Sequence, residues 1–361
     1  MSALSNILNL RVTNLFRTDG RLLSLDIGSS AVKLLEIDGP ADRPRIRAFG
    51  SHPLAPSAVQ NNMIQEPDQV AAVIRTLVAE SGAKAKQVIT AVPGPAVIIK
   101  KIQLPHQEPG ELENSVLFEA GNFIPENLEN VNLDFQIVDV IERDNQVEVL
   151  LVAVKKEIIN SYTSAIRMAG LEPAVVDVDY FALENMFEAN YSPPGNEIVA
   201  LVNIGARYSS INILRGSRST FTGDVPVGGK EFNDTLVRNL GVSYVEAETI
   251  KLGGTSDHPL AEIDPLLQPV KEFIADEIHR ALSFFWTAAT DETISAVYVS
   301  GGAAHVPGLV TLLHERLEMP VQLASPFERV DVSVRDREGL MKDAPSYAIA
   351  VGLATRRPGD K

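Results

Sequence analysis

The sequence predicts an α/β protein in which two duplicated domains face a shared cleft and one of them carries an inserted subdomain. A strand, tight turn and strand occur twice. The first copy is Leu23-Ser-Leu-Asp26-Ile-Gly28-Ser29-Ser30-Ala-Val-Lys33-Leu-Leu-Glu-Ile37, and the second runs from Glu197 through Asn203-Ile-Gly205-Ala206 to Leu214. Strand and helix signals alternate through both halves, and Ser192-Pro-Pro-Gly195 reads as the linker between them. Repetition of a whole unit outranks any single motif. The turns also suggest a ligand. A Gly-Ser-Ser turn leaves backbone N–H groups uncovered, and such a nest attracts oxyanions. Asp26 cannot hold a phosphate, but it can hold a hydrated divalent cation that does. Lys33 adds a point positive charge from the returning strand. Taken alone, these residues read equally well as an ordinary β-hairpin with a polar turn.

Each element has a local reason. Strands are expected at 22–28, 31–37 and 44–50 from apolar alternation and bounding Gly and Pro. Pro67 opens a helix to about Glu80, with Val70, Val73, Ile74 and Leu77 on one face and Gly82 after it. A buried-type strand at 87–92 ends at Pro93-Gly94-Pro95. The inserted subdomain follows: a strand at 96–103, a helix at 109–122 and a hairpin pairing 134–142 with 146–154 around Arg143-Asp144-Asn145. A helix at 156–169 ends at Gly170, and a strand at 174–178 leads into a helix at 179–189. After the second strand–turn–strand come a strand at 217–222, helices at 230–240, 243–252 and 262–289, and a strand at 295–299 entering Gly301-Gly302. Helices at 307–317 and 345–355 close the chain. The expected division is 20–90 with 171–195 and 341–357 as the first domain, 91–170 as the insertion, and 196–340 as the second domain.

Composition narrows the function. With 361 residues and 45% hydrophobic content there is material for two cores. The excess of 47 acidic over 32 basic residues gives a net charge of −15, which argues against a nucleic-acid partner and against docking on anionic lipid. The absence of cysteine excludes disulfides and thiolate metal sites. The six histidines are scattered with no His-Glu-x-x-His, and there is no Gly-x-Ser-x-Gly elbow. Gly228-Gly229-Lys230-Glu231 has the wrong spacing for a Walker A loop and reads as a helix N-terminus. Phe284, Phe285 and Trp286 read as core, and the Glu-rich run at 108–119 as a solvated helix face. Ser2 to Phe16 suits a short amphipathic helix packed on its own domain. No apolar run is long enough to cross a membrane and nothing resembles a signal peptide, so a cytoplasmic location without membrane insertion is expected.

In this order the motifs resemble those of the actin-like ATPase superfamily, which includes actin, MreB, FtsA, DnaK-type chaperones and sugar kinases. The resemblance implies two ribonuclease-H-like domains around a nucleotide cleft, with ATP and Mg²⁺ as cofactors. Asp26-Ile-Gly28-Ser29-Ser30 is similar to the first phosphate loop, with Asp26 at the metal and Lys33 at the lysine offset of actin. Asn203-Ile-Gly205-Ala206-Arg207 is similar to the second phosphate loop, and Ala247-Glu248-Thr-Ile-Lys251 to the helix lining the nucleoside pocket. Val297-Tyr-Val-Ser300-Gly301-Gly302-Ala303 resembles the adenosine motif. The segments beginning at Asp177 and Ala344 resemble the two inter-domain connecting helices. One departure matters. The superfamily usually has Asp in the second loop, and an amide there lacks the charge that tightens Mg²⁺ and polarises the attacking water. ATP binding with at most weak hydrolysis is therefore expected. The remaining acid is Asp179, which aligns with the water-orienting residue of the superfamily; the alternative reading is a helix N-cap. Asp177 competes for the same role.

Within the superfamily the chain resembles the PilM family of type IV pilus assembly proteins. The resemblance rests on the opening motif, Val227-Gly-Gly-Lys-Glu-Phe232, Arg280-Ala-Leu-Ser-Phe-Phe285, Ser325-Pro-Phe327 and Asp343-Ala-Pro345. The insertion resembles the extra subdomain of FtsA. These likenesses imply a cytoplasmic ATP-binding scaffold that grips the N-terminal cytoplasmic peptide of PilN, an inner-membrane pilus protein. The scaffold would then be peripheral to that membrane through its partner, with pilus motor or platform proteins as further partners. The alternative is a small-molecule kinase using the same cleft, for which the sequence offers no clear substrate-facing Asp.

Overall fold

In the computed structural model, residues 21–40, 43–216, 218–288 and 293–360 are described. The amphipathic segment expected at Ser2–Phe16 lies outside them. The described residues open with β1 (Leu22–Ile27), β2 (Ala31–Asp38) and β3 (Arg45–Pro53), a meander most of whose apolar positions are buried. The small hairpin β4 (Val59–Gln60) and β5 (Met63–Ile64) precedes α1 (Pro67–Ser81), and β6 (Gln87–Val92) returns through the core. β7 (Val97–Pro105), α2 (Pro109–Phe123), β8 (Val131–Ile141) and β9 (Gln146–Lys155) follow, the three strands forming a separate sheet ordered β7-β9-β8. Next come α3 (Lys156–Met168), β10 (Glu172–Val178) and the connecting helix α4 (Asp179–Asn190).

The second half begins with β11 (Ile198–Ile204), β12 (Ser209–Arg215) and β13 (Arg218–Val225). Helices α5 (Lys230–Leu240), α6 (Tyr244–Lys251) and α7 (Leu260–Ala288) follow, then β14 (Ala296–Ser300), α8 (Leu309–Leu317) and β15 (Val321–Leu323). The chain ends with β16 (Asp331–Val332), α9 (Arg337–Lys342) and α10 (Ala348–Ala354).

The two large sheets have one topology. The first is ordered β10-β6-β1-β2-β3 with β16 beyond β3, and the second β15-β14-β11-β12-β13. In each, an antiparallel meander is extended on the side of its first strand by two parallel strands. The correspondence reaches single residues. Asp26 pairs with Lys33 across the first hairpin, and Asn203 pairs with Ser210 across the second. The Gly28 amide donates to the Ala31 carbonyl at 3.0 Å, and the Gly205 amide donates to the Tyr208 carbonyl at 3.1 Å. A duplicated turn with the same closing bond is what the repeated Gly at one offset requires.

Two helices join the halves. A core of Ile37 and Ile89 from the first sheet, Val199 and Leu214 from the second, Leu183 and Phe187 of α4 and Val351 of α10 fills the space between them. Here α10 lies so close to α4 that a methyl group at Gly352 would strike the Ala182 carbonyl. The three-stranded sheet has its own core, in which Leu112 and Val116 of α2 cover Val149 and Leu151 of β9. The run expected as a solvated face is so only in part: Glu108 and Glu111 are exposed, Glu113 and Glu119 are half-buried, and Phe118 stands exposed among them. One expectation fails: Phe285 is buried and Trp286 packs on the core, but Phe284 is 66% exposed, because the three consecutive residues point about 100° apart on a helix.

Candidate nucleotide cleft

The two turns face each other across a cleft of about 810 Å³. The first sheet contributes Asp26, Gly28, Ser29, Ser30 and Lys33, and the second contributes Asn203, Gly205 and Ala206. Glu248 and Lys251 of α6 line the same space, as do Gly301, Gly302 and Ala303 after β14 and Asp179 at the start of α4. Of the residues singled out from the sequence for the site, all but Asp177 line this one space.

Several side chains are held by named partners. The Lys33 ammonium lies 3.4 Å from Asp26 Oδ2. Lys251 is nearly fully buried and donates to Glu248 Oε2 at 2.6 Å and to Asn233 Oδ1 at 3.0 Å, while Asn233 Nδ2 donates to the same Glu248 oxygen at 2.8 Å. Burial lowers the Lys251 pKa against the opposing pull of Glu248. Asn203 Oδ1 accepts from the Ser300 hydroxyl at 3.2 Å, so the amide points to the end of β14.

Close backbone approach explains the glycines. Gly301 has φ +91°, and a Cβ there would meet Asn203 Oδ1 at 2.9 Å and strike the Ile204 carbonyl. A Cβ on Gly228 would lie 2.5 Å from the Gly205 carbonyl. The start of α5 is pinned onto the second turn by Gly229 N–H to Gly205 O and Lys230 N–H to Ala206 O, both 2.8 Å. The Gly228-Gly229-Lys230 segment is therefore a helix start that abuts a turn of the cleft.

Asp179 is not an N-cap. Val178 occupies that position and makes no side-chain cap bond. The buried Asp179 carboxylate instead accepts from Gly94 N–H at 2.8 Å and from the Tyr208 hydroxyl at 2.7 Å. Burial pushes its pKa up to about 7 against the pull of those donors. Asp177 faces away from the cleft, into a second cavity, with the Arg356 guanidinium 3.0 Å from Oδ2. That contact is close enough for an ion pair but lies off the line of a hydrogen bond. The two acids therefore have different surroundings, and Asp179 is the one in the cleft.

Arg207 and Asp343 stood inside motifs read from the sequence without a role of their own, and Tyr208, Asn233 and His305 were missed. His305 Nε2 and Asp343 Oδ1 lie 3.2 Å apart, and Ser346 donates to the same Asp343 oxygen at 2.7 Å. Burial pushes the Asp343 carboxyl up, but His305, Ser346 and Lys33 outweigh it and hold it below its ordinary range. Of the three missed, Tyr208 carried a signal, as a large aromatic where the first turn has Ala31. Among the described residues, no group of three or more His, Asp or Glu is placed to hold a metal, and no helix is long and apolar enough to cross a membrane.

Two sheets of one topology, joined by two packed helices and opening onto a cleft lined by both duplicated turns, define an actin-like ATPase fold. The family model of the type IV pilus assembly protein PilM matches residues 24–358, and the chain belongs to that family. A solved PilM–PilN type IV pilus biogenesis complex superimposes with a TM-score of 0.81 at 30% identity, covering 92% of this chain and 97% of that one. MreB5 of Spiroplasma citri, solved bound to ADP, shares the fold with a TM-score of 0.50 at 11% identity over 92% of this chain and 95% of that one. The cell division protein FtsA of Bacillus subtilis (strain 168) is 22% identical over 235 residues, 58% of this chain and 49% of that protein. The chain spans between 37% and 49% of the length of the curated relatives it matches.

Proposed function

We propose that this protein is an ATP-binding scaffold of type IV pilus assembly. It grips the cytoplasmic N-terminal peptide of a PilN-type inner-membrane protein, and the state of its cleft sets the strength of that grip. The observation that carries this reading is the likeness to the solved PilM–PilN complex, which extends over nearly the whole of both chains. The protein would lie in the cytoplasm and meet the inner membrane through its partner. Pilus motor or platform proteins are further candidates for contact.

The cleft suits a nucleotide. Gly28 and Gly205 open two facing turns with little side-chain cover, and Gly302, where a side chain would meet nothing within 4 Å, leaves room for a ligand against the backbone. In this reading Gly28, Ser29, Ser30, Gly205 and Ala206 hold phosphates, Glu248 and Lys251 meet the nucleoside, and Gly301, Gly302 and Ala303 lie along the adenine side. Asp26 and phosphate oxygens would share Mg²⁺, which keeps most of its waters; this is consistent with a single carboxylate rather than an acidic cluster. Mg²⁺ would supply charge neutralisation for the phosphates. Asp179 would orient water, and Asn203 would keep hydrolysis weak. A ligand that touches both halves favours the closed arrangement only by its differential affinity for it.

A small-molecule kinase is the weaker reading. Each carboxylate lining the cleft is already engaged: Asp26 with Lys33, Asp179 with Gly94 and Tyr208, Glu248 with Lys251 and Asn233, and Asp343 with His305 and Ser346.

The test is calorimetric titration of the full chain with the cytoplasmic N-terminal peptide of a PilN, with and without Mg-ATP. Binding in the micromolar range, about −8 kcal/mol, that changes with Mg-ATP is the expected outcome. No binding in either state, together with ATP turnover stimulated by a sugar or similar metabolite, would replace the scaffold with the kinase.

A further inference from the structure

The duplicated turns differ in where they keep their positive charge. In the first, the cation is Lys33, on the returning strand and directly opposite Asp26. At the matching register of the second stands Ser210, opposite Asn203, so both members of that ion pair have become neutral. The second turn carries its charge elsewhere, on Arg207, which occupies the place of Ser30. Arg207 lines the cleft and is partly buried. Its guanidinium crosses to the opposite side and donates through Nη2 to the Pro56 carbonyl at 2.5 Å. That acceptor is neutral, and among the described residues no carboxylate lies within ion-pair distance of Arg207. Lys33 and Lys251, by contrast, are each matched to a carboxylate.

We infer that Arg207 reads the charge of the bound nucleotide: it bridges the cleft through Pro56 and moves its guanidinium to the terminal phosphate of a nucleoside triphosphate. This rests on the nucleotide reading of the cleft proposed above and adds a residue to it. The physical case is the exchange of partners. A guanidinium on a lone carbonyl makes one charge-to-dipole bond, whereas on a phosphate it makes a bidentate charge-assisted pair. A diphosphate lacks the group that draws Arg207 off the carbonyl. The residue therefore favours triphosphate over diphosphate without contributing equally to both.

The test is calorimetric titration of the full chain and of Arg207→Gln and Arg207→Lys with Mg-ADP and with a non-hydrolysable Mg-ATP analogue. Melting of each ligand-free protein serves as the control for folding. Glutamine can still donate to the Pro56 carbonyl but has no charge, so it separates the bridge from the charge. The expected result is that Arg207→Gln loses about tenfold or more in affinity for the triphosphate and less than about twofold for the diphosphate, with Arg207→Lys between wild type and Gln for the triphosphate. Equal losses for both nucleotides, or none for either, would overturn the inference and leave the nucleotide reading standing. A wild-type chain that binds neither nucleotide would overturn both.

Discussion

At the residue scale the cleft is asymmetric in charge although symmetric in backbone. Asp26 and Asn203 occupy equivalent positions at the mouths of equivalent turns, yet only one is a carboxylate. Asp26→Ala removes the single acid proposed for Mg²⁺ from the end of a strand whose core positions are untouched. Its affinity for Mg-ATP should fall by more than about a hundredfold, beyond the loss typical of outer-shell partners, with an unchanged melting temperature in the absence of nucleotide. Calorimetry that finds wild-type affinity would remove Asp26 from the site. Asn203→Asp tests the other turn. Aspartate has the same shape and still accepts from Ser300, so the change is one of charge alone. Turnover of ATP should rise by about tenfold to a hundredfold if the missing carboxylate is what limits hydrolysis; an unaltered rate in a phosphate-release assay would place the limit elsewhere.

At the element scale the joint between the halves depends on the crossing of α4 and α10. Gly352 faces the Ala182 carbonyl at a distance that admits hydrogen but no methyl group. The added carbon cannot be absorbed by a rotamer change, because backbone stands on both sides of it. Gly352→Ala should therefore cost about 3 kcal/mol or more, read as a drop in the denaturation midpoint; a midpoint near wild type would show that the helices part freely. Most elements of this kind were legible beforehand. The strand–turn–strand repeat announces itself because a two-residue period and a Gly at one offset are both local properties, and the Pro67 and Gly82 boundaries of α1 follow from backbone geometry. What stayed hidden was non-local. β16 is two residues long, too short for any period, and is held to β3 by pairs such as Asp331 with Arg45, 286 positions away. The Tyr208 bond to Asp179 and the Arg207 bond to Pro56 likewise join distant segments of the chain, which spacing along the sequence cannot report.

At the scale of the whole molecule the seam between the halves is lined by acids that burial disfavours as anions. Asp179 at the start of α4 and Glu184 further along the same helix are both pushed up to about 7 by burial. Glu184 accepts from Ser219 N–H of β13 at 3.1 Å, so the same helix meets the second sheet through a carboxylate as well as through apolar contacts. Each folded value lies above the unfolded one. Between about pH 4 and pH 7 the native state therefore holds protons that the unfolded chain has released, and stability is greatest below that window and falls as pH rises through it. For Asp179, which is nearly fully buried, the part lost between pH 6 and pH 8 is about 1–2 kcal/mol. The ligand-free protein should accordingly melt at a higher temperature at pH 6 than at pH 8. Asp179→Asn should shrink that difference, because the amide stays neutral throughout while still accepting one hydrogen bond. A variant whose melting temperature keeps the full pH dependence would show that Asp179 is ionised in the folded protein across this range. In that case the carboxylate would meet the cleft as an anion at neutral pH, the form that can only accept hydrogen bonds from a water it orients.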